Sequence, residues 1–199
     1  MALRAMNARS LSRAIGQVRR MSTEKPSKVL VSLAGPDRVG VVKDFSSALH
    51  KSHGNVEESR MAQLGGEFAM ISLVTVRPSE LADLRSELKG IFSDFSLAMR
   101  ETTESQPTRM KEYVLEVDGP DSIGIVAQIT QALSKKGGSI KSLDTETVPA
   151  PFAGFDLFRM KAIIDIEPEH LEELQEAVEG VGDKFGLDIA SLVESPTKK

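Results

Sequence analysis

Gly35, Pro36, Asp37, Arg38 and Gly40 stand in the run "LAGPDRVGVV", Leu33 to Val42, between a stretch of alternating apolar residues and one of helical spacing. Such a turn delivers the chain into a helix N-terminus, where the first N–H groups lack intrahelical partners and the dipole favours an anion. A carboxylate fits there. Gly40 has no side chain to hold a ligand off the backbone, Asp37 can accept from an ammonium group, and Asn55, expected nearby, both donates and accepts. Together these groups match an α-amino acid. The run recurs as "VDGPDSIGIV", Val117 to Val126, which sets Gly119, Asp121 and Gly124 at the equivalent positions and Ser122 in place of Arg38. A purely architectural corner uses the same residues, with Asp37 and Asp121 as N-caps and the glycines permitting a tight turn. On the capping reading Asp37→Ala costs about 1 kcal/mol. Gly40→Val is expected to shut out a ligand and to leave the fold intact if Gly40 has ordinary helical angles.

The remaining reactive residue types point away from catalysis. His50 and His53, in "HKSH", are spaced to share a helix face, but no third metal ligand is evident and the second copy has Ser134 and Gly137 instead. The dipole alone favours histidine near a helix C-terminus. The carboxylates of "EPEHLEELQEAVE", 167–179, read as a solvated face in the first turns of a helix. No nucleophile elbow or glycine-rich phosphate loop occurs, and zero cysteines exclude disulfides, thiolate nucleophiles and cysteine-ligated metals. No enzyme, cofactor or metal site is expected.

The elements that hold the two turns are themselves written twice. Gly35, Gly40, Ala48, Leu49, Lys51 and Gly54 match Gly119, Gly124, Ala132, Leu133, Lys135 and Gly138 at an offset of 84. Phe68 aligns with Phe155 at 87, and Pro78, Leu81, Leu84, Gly90, Phe95 and Leu97 match Pro168, Leu171, Leu174, Gly180, Phe185 and Leu187 at 90. Two three-residue insertions account for the drift, one in "PAPFAG", 149–154, and one near the end of the third strand. Val29, Val31 and Leu33, like Tyr113, Leu115 and Val117, alternate as a strand; Val41, Val42, Phe45, Ala48 and Leu49, like Ile125, Val126, Ile129, Ala132 and Leu133, have helical spacing. A hairpin follows in each copy, then a second helix entered at Pro78 or Pro168, then a short strand near 95–102 or 185–193. The order βαββαβ, twice, predicts an α+β fold of two ferredoxin-like units, each a four-stranded antiparallel sheet with two helices on one face. The expected boundaries are 28–103 and 111–195, joined by a linker at 104–110. The units are expected to associate through their sheets, edge to edge or face to face.

Of 199 residues, 40% are apolar and 27% charged, enough for one large or two small domains, and no apolar run approaches the roughly 20 residues of a membrane-spanning helix. The first 23 residues carry five arginines and no acid. Leu3, Leu11, Ala14, Ile15 and Val18 share one helical sector there, opposite Arg9, Arg13 and Arg20. This predicts a mitochondrial targeting peptide over residues 1–21 and a matrix location, the alternative being a basic arm on a cytoplasmic protein. Its removal takes the net charge from −4 to about −9, which makes the body a poor direct partner for nucleic acid.

With "GPDRVGVV" after the first strand and "GNVEES" opening the second, the first copy resembles an ACT domain, and the second, with "GPDSIGIV" and "GGSIKS", resembles one too. The pair with no enzyme attached, and the segment "GNVEESRMAQLGGEFAM" at 54–70, are similar to the glycine cleavage system transcriptional repressor family. The resemblance implies a regulatory protein whose domains bind amino acids or related ligands at interfaces between paired domains and which works through a partner protein, with a homodimer as one arrangement. It also implies a ligand contact at Asn55 and, in the second copy, at Ser139. The alternative is a ligand-free assembly subunit of a mitochondrial metabolic complex.

Overall fold

The computed structural model describes residues 24–102, 109–149, 156–190 and 192–195. The expected targeting peptide, most of the linker and most of the "PAPFAG" segment lie outside them. The chain divides near residue 105 into two compact units.

The first unit runs β1 (Ser27–Pro36), α1 (Val41–Lys51), β2 (Asn55–Leu64), β3 (Glu67–Val76), a 3-10 turn at Pro78–Glu80 that leads into α2 (Leu81–Ile91), and β4 (Ser96–Glu101). Its sheet has the order β2-β3-β1-β4 with antiparallel neighbours, as a ferredoxin-like unit requires. The alternation in β1 turns Val29, Val31 and Leu33 to one face, where they meet Phe45, Ala48 and Leu49 of α1 and Leu84 and Leu88 of α2 in one buried cluster. Gly65 and Gly66 close the β2–β3 hairpin with φ of 59° and 84°, the two positive angles that a tight two-residue turn demands.

The second unit repeats the plan with β5 (Lys111–Pro120), α3 (Ile125–Lys135), β6 (Ser139–Pro149), β7 (Asp156–Ile166), a 3-10 turn at Pro168–His170, α4 (Leu171–Phe185), β8 (Asp188–Ile189) and β9 (Val193–Glu194). The order is β6-β7-β5-β8, with β9 also on β5. Its core is a separate cluster built around Leu115, Val117, Ile129, Leu133, Ile164 and Leu174.

Two expectations are corrected here. The closing strand of the second unit does not start at 185: α4 continues to Phe185, Gly186 ends it at φ 69°, and the Leu187 N–H donates to the Gly182 carbonyl at 2.9 Å. The strand then forms as two short pieces on β5. The insertions are also placed differently. Gly35 registers with Phe68 and Gly119 with Phe158, so the equivalent of Phe68 is Phe158 and not Phe155. All the added length therefore lies in the hairpin between β6 and β7, and the third strand carries none.

The second residue after each first helix is left-handed in both units, as Gly137 at φ 78° and as His53 at φ 50°. His53 bears the cost of its Cβ there, and its Nδ1 is 3.7 Å from Glu80 Oε1, a weak exposed contact. His53→Gly is expected to stabilise the first unit by about 1 kcal/mol in urea unfolding; a loss of stability would show that the contact with Glu80 outweighs the strain.

Candidate functional site

Each turn is held by the neighbouring hairpin. The Asp37 N–H donates to the Gly66 carbonyl at 3.0 Å, and Gln63 Nε2 donates to Asp37 Oδ2 at 2.7 Å. In the second unit the Asp121 N–H donates to the Asp156 carbonyl at 2.9 Å. Neither aspartate is an N-cap, because the N-cap positions of α1 and α3 are Gly40 and Gly124 and no side chain caps either helix. The Gly40 carbonyl accepts from the Asp44 N–H at 2.8 Å and starts the helix ladder, while the Val42 and Lys43 N–H groups receive no capping side chain. This leaves donors at the helix entrance for an anion.

Gly40 and Gly124 have φ of 95° and 97°, so they do not have the ordinary helical angles under which valine would be harmless. A Cβ built on either meets nothing within 4 Å among the described residues. Glycine is required there by backbone conformation, and the space beyond it is open. Gly35 and Gly119 are the reverse case. A Cβ on Gly35 would meet the Phe95 ring at 2.6 Å, and one on Gly119 would meet Leu187 at 2.8 Å, so close packing accounts for both.

Arg38 is already engaged. Its guanidinium pairs with Asp44 at 2.8 Å and lies over the Phe92 ring, 5.8 Å from the centroid. Arg38 and then Lys43 hold the Asp44 carboxyl below its usual range. The stabilisation from that pair is present above the ordinary carboxylate pKa and is lost as pH falls through the depressed folded value. Pro36 ends β1 opposite Glu67 and contributes rigidity to the turn.

Asn55 is not brought to the turn of its own unit. It registers with Thr75, which registers with Lys28 at the start of β1, whereas Gly35 and Pro36 lie at its end. The eleven residues of α1 separate the two places by about 16 Å. Ser139 stands equally apart from Gly124, level with Asp165 and Glu112. The expectation of an asparagine beside its own turn is therefore corrected: each unit presents the turn at one end of the sheet and the polar residue at the other.

Gln63 was not singled out in the sequence, yet it positions the Asp37 carboxylate. Its signal was only its place two residues before the hairpin glycines. The residue preceding each left-handed glycine, Val39 or Ile123, is fully exposed despite being β-branched and apolar. On the second sheet, charged residues at alternate positions of β5, β6 and β7 line a hollow of about 360 Å³ with Glu116, Asp118, Asp144, Glu146, Arg159 and Lys161. Lys161 pairs with Glu116 at 2.6 Å, and Arg159 with Asp118 and Glu146 at 3.1 and 3.3 Å. His50 lies in the last turn of α1 and His53 beyond its end. A different group, Glu167, Glu169 and His170, brings its ligand atoms within 4.8 Å of one another at the entrance of α4, with only Glu167 half-buried.

An ACT domain family model matches residues 27–102, and a second ACT domain model matches residues 113–182. The glycine cleavage system transcriptional repressor of Escherichia coli (strain K12) is 27% identical over 133 residues, which is 65% of this chain and 70% of that protein. A crystal structure of an unknown protein from Galdieria sulphuraria is 44% identical, with a TM-score of 0.81 over 86% of this chain and 100% of that one. The structure of a candidate glycine cleavage system transcriptional repressor, 18% identical with a TM-score of 0.62, covers 85% of this chain and 99% of its own and shares the fold.

Proposed function

The chain belongs to the ACT-domain family, with one domain in each unit, and from that premise we propose that it is a non-enzymatic regulatory protein that binds an amino acid or a related small molecule and acts through a partner protein. The observation that carries this reading is the repeated turn. In both units a left-handed glycine with open space beyond it precedes a helix whose first N–H groups have no side-chain cap. A carboxylate would dock on those donors. An ammonium group would be received by Asp37 or Asp121, and Asn55 or Ser139 would be supplied by the far end of another domain. The glycine cleavage repressor among the relatives supports a role in control of amino-acid metabolism, and the acidic body favours a protein partner over direct contact with DNA. A second reading, an assembly subunit whose turns are corners only, is favoured by the packing role of Gly35 and Gly119 and by the bond that already occupies Asp37.

Calorimetry of the full chain against the twenty amino acids separates the two. Specific binding is expected, with a rise in unfolding temperature that saturates with ligand. Gly40→Asn is the useful variant, since asparagine tolerates the left-handed angles at about 1 kcal/mol yet fills the space before the helix. It should weaken binding at least about tenfold, a loss of about 1.4 kcal/mol. Gly124→Asn should weaken binding at the second turn in the same way, because α3 has the same uncapped entrance after a left-handed glycine. No binding by any amino acid would leave the turns as corners; undiminished binding in the folded double variant would place the site elsewhere.

Residues 1–21 are proposed to direct import into the mitochondrial matrix, with cleavage near Met21–Ser22, the support being the acid-free amphipathic sequence. Recovery of cytosolic protein that still begins at Met1 would count against it.

A further inference from the structure

In each unit the helices pack on one face of the sheet, and the other face stays open among the described residues. The two open faces differ in kind. Strand register sets Gly35 opposite Phe68 and Gly119 opposite Phe158, which fixes the residues that correspond. In the second unit the middle of the open face carries Glu116, Asp118, Arg159 and Lys161, in ion pairs that suit a face in water. In the first unit the same four positions hold Ser32, Ala34, Ala69 and Ile71, and the next row adds Leu30 and Leu73. Ile71 is 44% exposed. One architecture thus occurs once with a charged open face and once with an apolar one, and an apolar sheet face calls for a cover.

We propose that the open sheet face of the first unit packs against the same face of a second copy of this chain, about a two-fold axis that runs along the strands between β1 and β3. A two-fold axis makes contacts reciprocal. This one lays β2 over the partner's β4 and β3 over the partner's β1, while every residue keeps its level along the strands. Level with Leu30 the face reads Glu58, Leu73, Leu30, Arg100 from β2 to β4. Turned over, that row sets the partner's Arg100 over Glu58, leucines over leucines, and the partner's Glu58 over Arg100. Level with Ser32 it sets the partner's Ser32 over Ile71, a small side chain against a large one, as interdigitating sheets require. Arg100 has no ion pair among the described residues, and Glu58 has only Arg60 of its own strand, 2.9 Å away.

The charged ends of that row select both the occupant and the axis. An axis across the strands would lay β4 over β4, where the open face offers only Ser96, Ala98 and Arg100, and the guanidinium would meet no acid. A partner whose face is charged like that of the second unit would lose water over alanines and leucines without gaining pairs. A second copy of the first unit's own face supplies apolar surface in the middle and the missing opposite charge at each edge. The contact uses none of the turn residues, which stand at the end of β1, so it does not rest on the amino-acid-site reading above.

Sedimentation velocity of the full chain over a concentration series provides the first test. The unaltered protein is expected to be dimeric. Ile71→Glu should weaken association at least about 100-fold and leave the unfolding temperature of the subunit in place, because the carboxylate enters the middle of the contact yet faces water in the single subunit. Arg100→Glu should weaken association about tenfold, and the exchange of Glu58→Arg with Arg100→Glu should restore it. Cross-linking provides the second test, since the chain has no cysteine of its own. Packed sheets lie about 10 Å apart, so a bismaleimide of about that reach should join a variant carrying both Glu58→Cys and Arg100→Cys into covalent dimers. Within one subunit the two positions lie three strand spacings apart, about 14 Å, beyond the reagent. Neither single variant should be joined. A monomeric unaltered protein, an Ile71→Glu variant that associates as tightly as the parent, an exchange that fails to restore the dimer, or a single Glu58→Cys variant joined as fully as the double one would each overturn the proposal.

Discussion

Phe45→Ala is expected to lower the stability of the first unit by about 3–5 kcal/mol and to leave the second unit's unfolding midpoint where it was. Phe45 is 1% exposed and is the largest side chain that α1 directs into the core formed with Val31, Leu33, Leu84 and Leu88. Its removal loses the transfer free energy of an aromatic ring and leaves a cavity that two helices and a sheet cannot collapse around. A domain of this size has about 4–11 kcal/mol in all, so the variant should be close to unfolded at 37 °C. The second core contains none of these residues. Urea unfolding followed residue by residue in amide NMR spectra should therefore show the two units separating, the first at much lower denaturant. If both midpoints moved together, the units would be one cooperative body.

Gly119→Ala should destabilise the second unit by about 2–3 kcal/mol, although a single methyl group is added. The new Cβ would stand 2.8 Å from Leu187 Cδ2, 3.0 Å from Leu187 Cα and 3.1 Å from the Gly186 carbonyl oxygen. Two of those three atoms are backbone of the segment that closes α4, so the chain itself must shift to make room. Gly180→Ala is the internal control. That glycine sits within α4 with nothing within 4 Å of a Cβ among the described residues, and the change should add about 1 kcal/mol through helix propensity. Opposite signs for the same substitution in one unit would be read from two urea titrations. Equal effects would show that Gly119 is not closely packed.

The four repeated glycines of the two turns show how far a motif can be read. Their spacing announces a turn into a helix, and the structure has that turn twice. The spacing does not say which glycine serves the backbone angle and which serves packing. Gly40 and Gly124 are needed for φ, with room to spare, whereas Gly35 and Gly119 are needed for close approach, with ordinary backbone. Both demands are met by the same residue type, so the sequence alone cannot separate them. The aspartates carry the same ambiguity. Asp37 has the composition of an N-cap, but the left-handed glycine moves the helix start to Val41 and leaves the carboxylate to Gln63, 26 positions away in the chain.

Local periodicity determined most of the fold. Alternation at Val29, Val31 and Leu33, helical spacing at Val41, Phe45, Ala48 and Leu49, and the near-constant offset between copies are enough to write βαββαβ twice, because side-chain burial repeats every two residues in a strand and about every 3.6 in a helix. What lies between non-local elements was decided only by tertiary structure. Six residues separate the offsets 84 and 90, and only pairing of β5 with β7 locates them all in one hairpin. Only strand register shows Asn55 and Gly40 at opposite ends of their unit, and only the sheet order leaves β2 at an edge. Register and edge position arise from hydrogen bonds between segments far apart in the chain, and no period within a single segment encodes them.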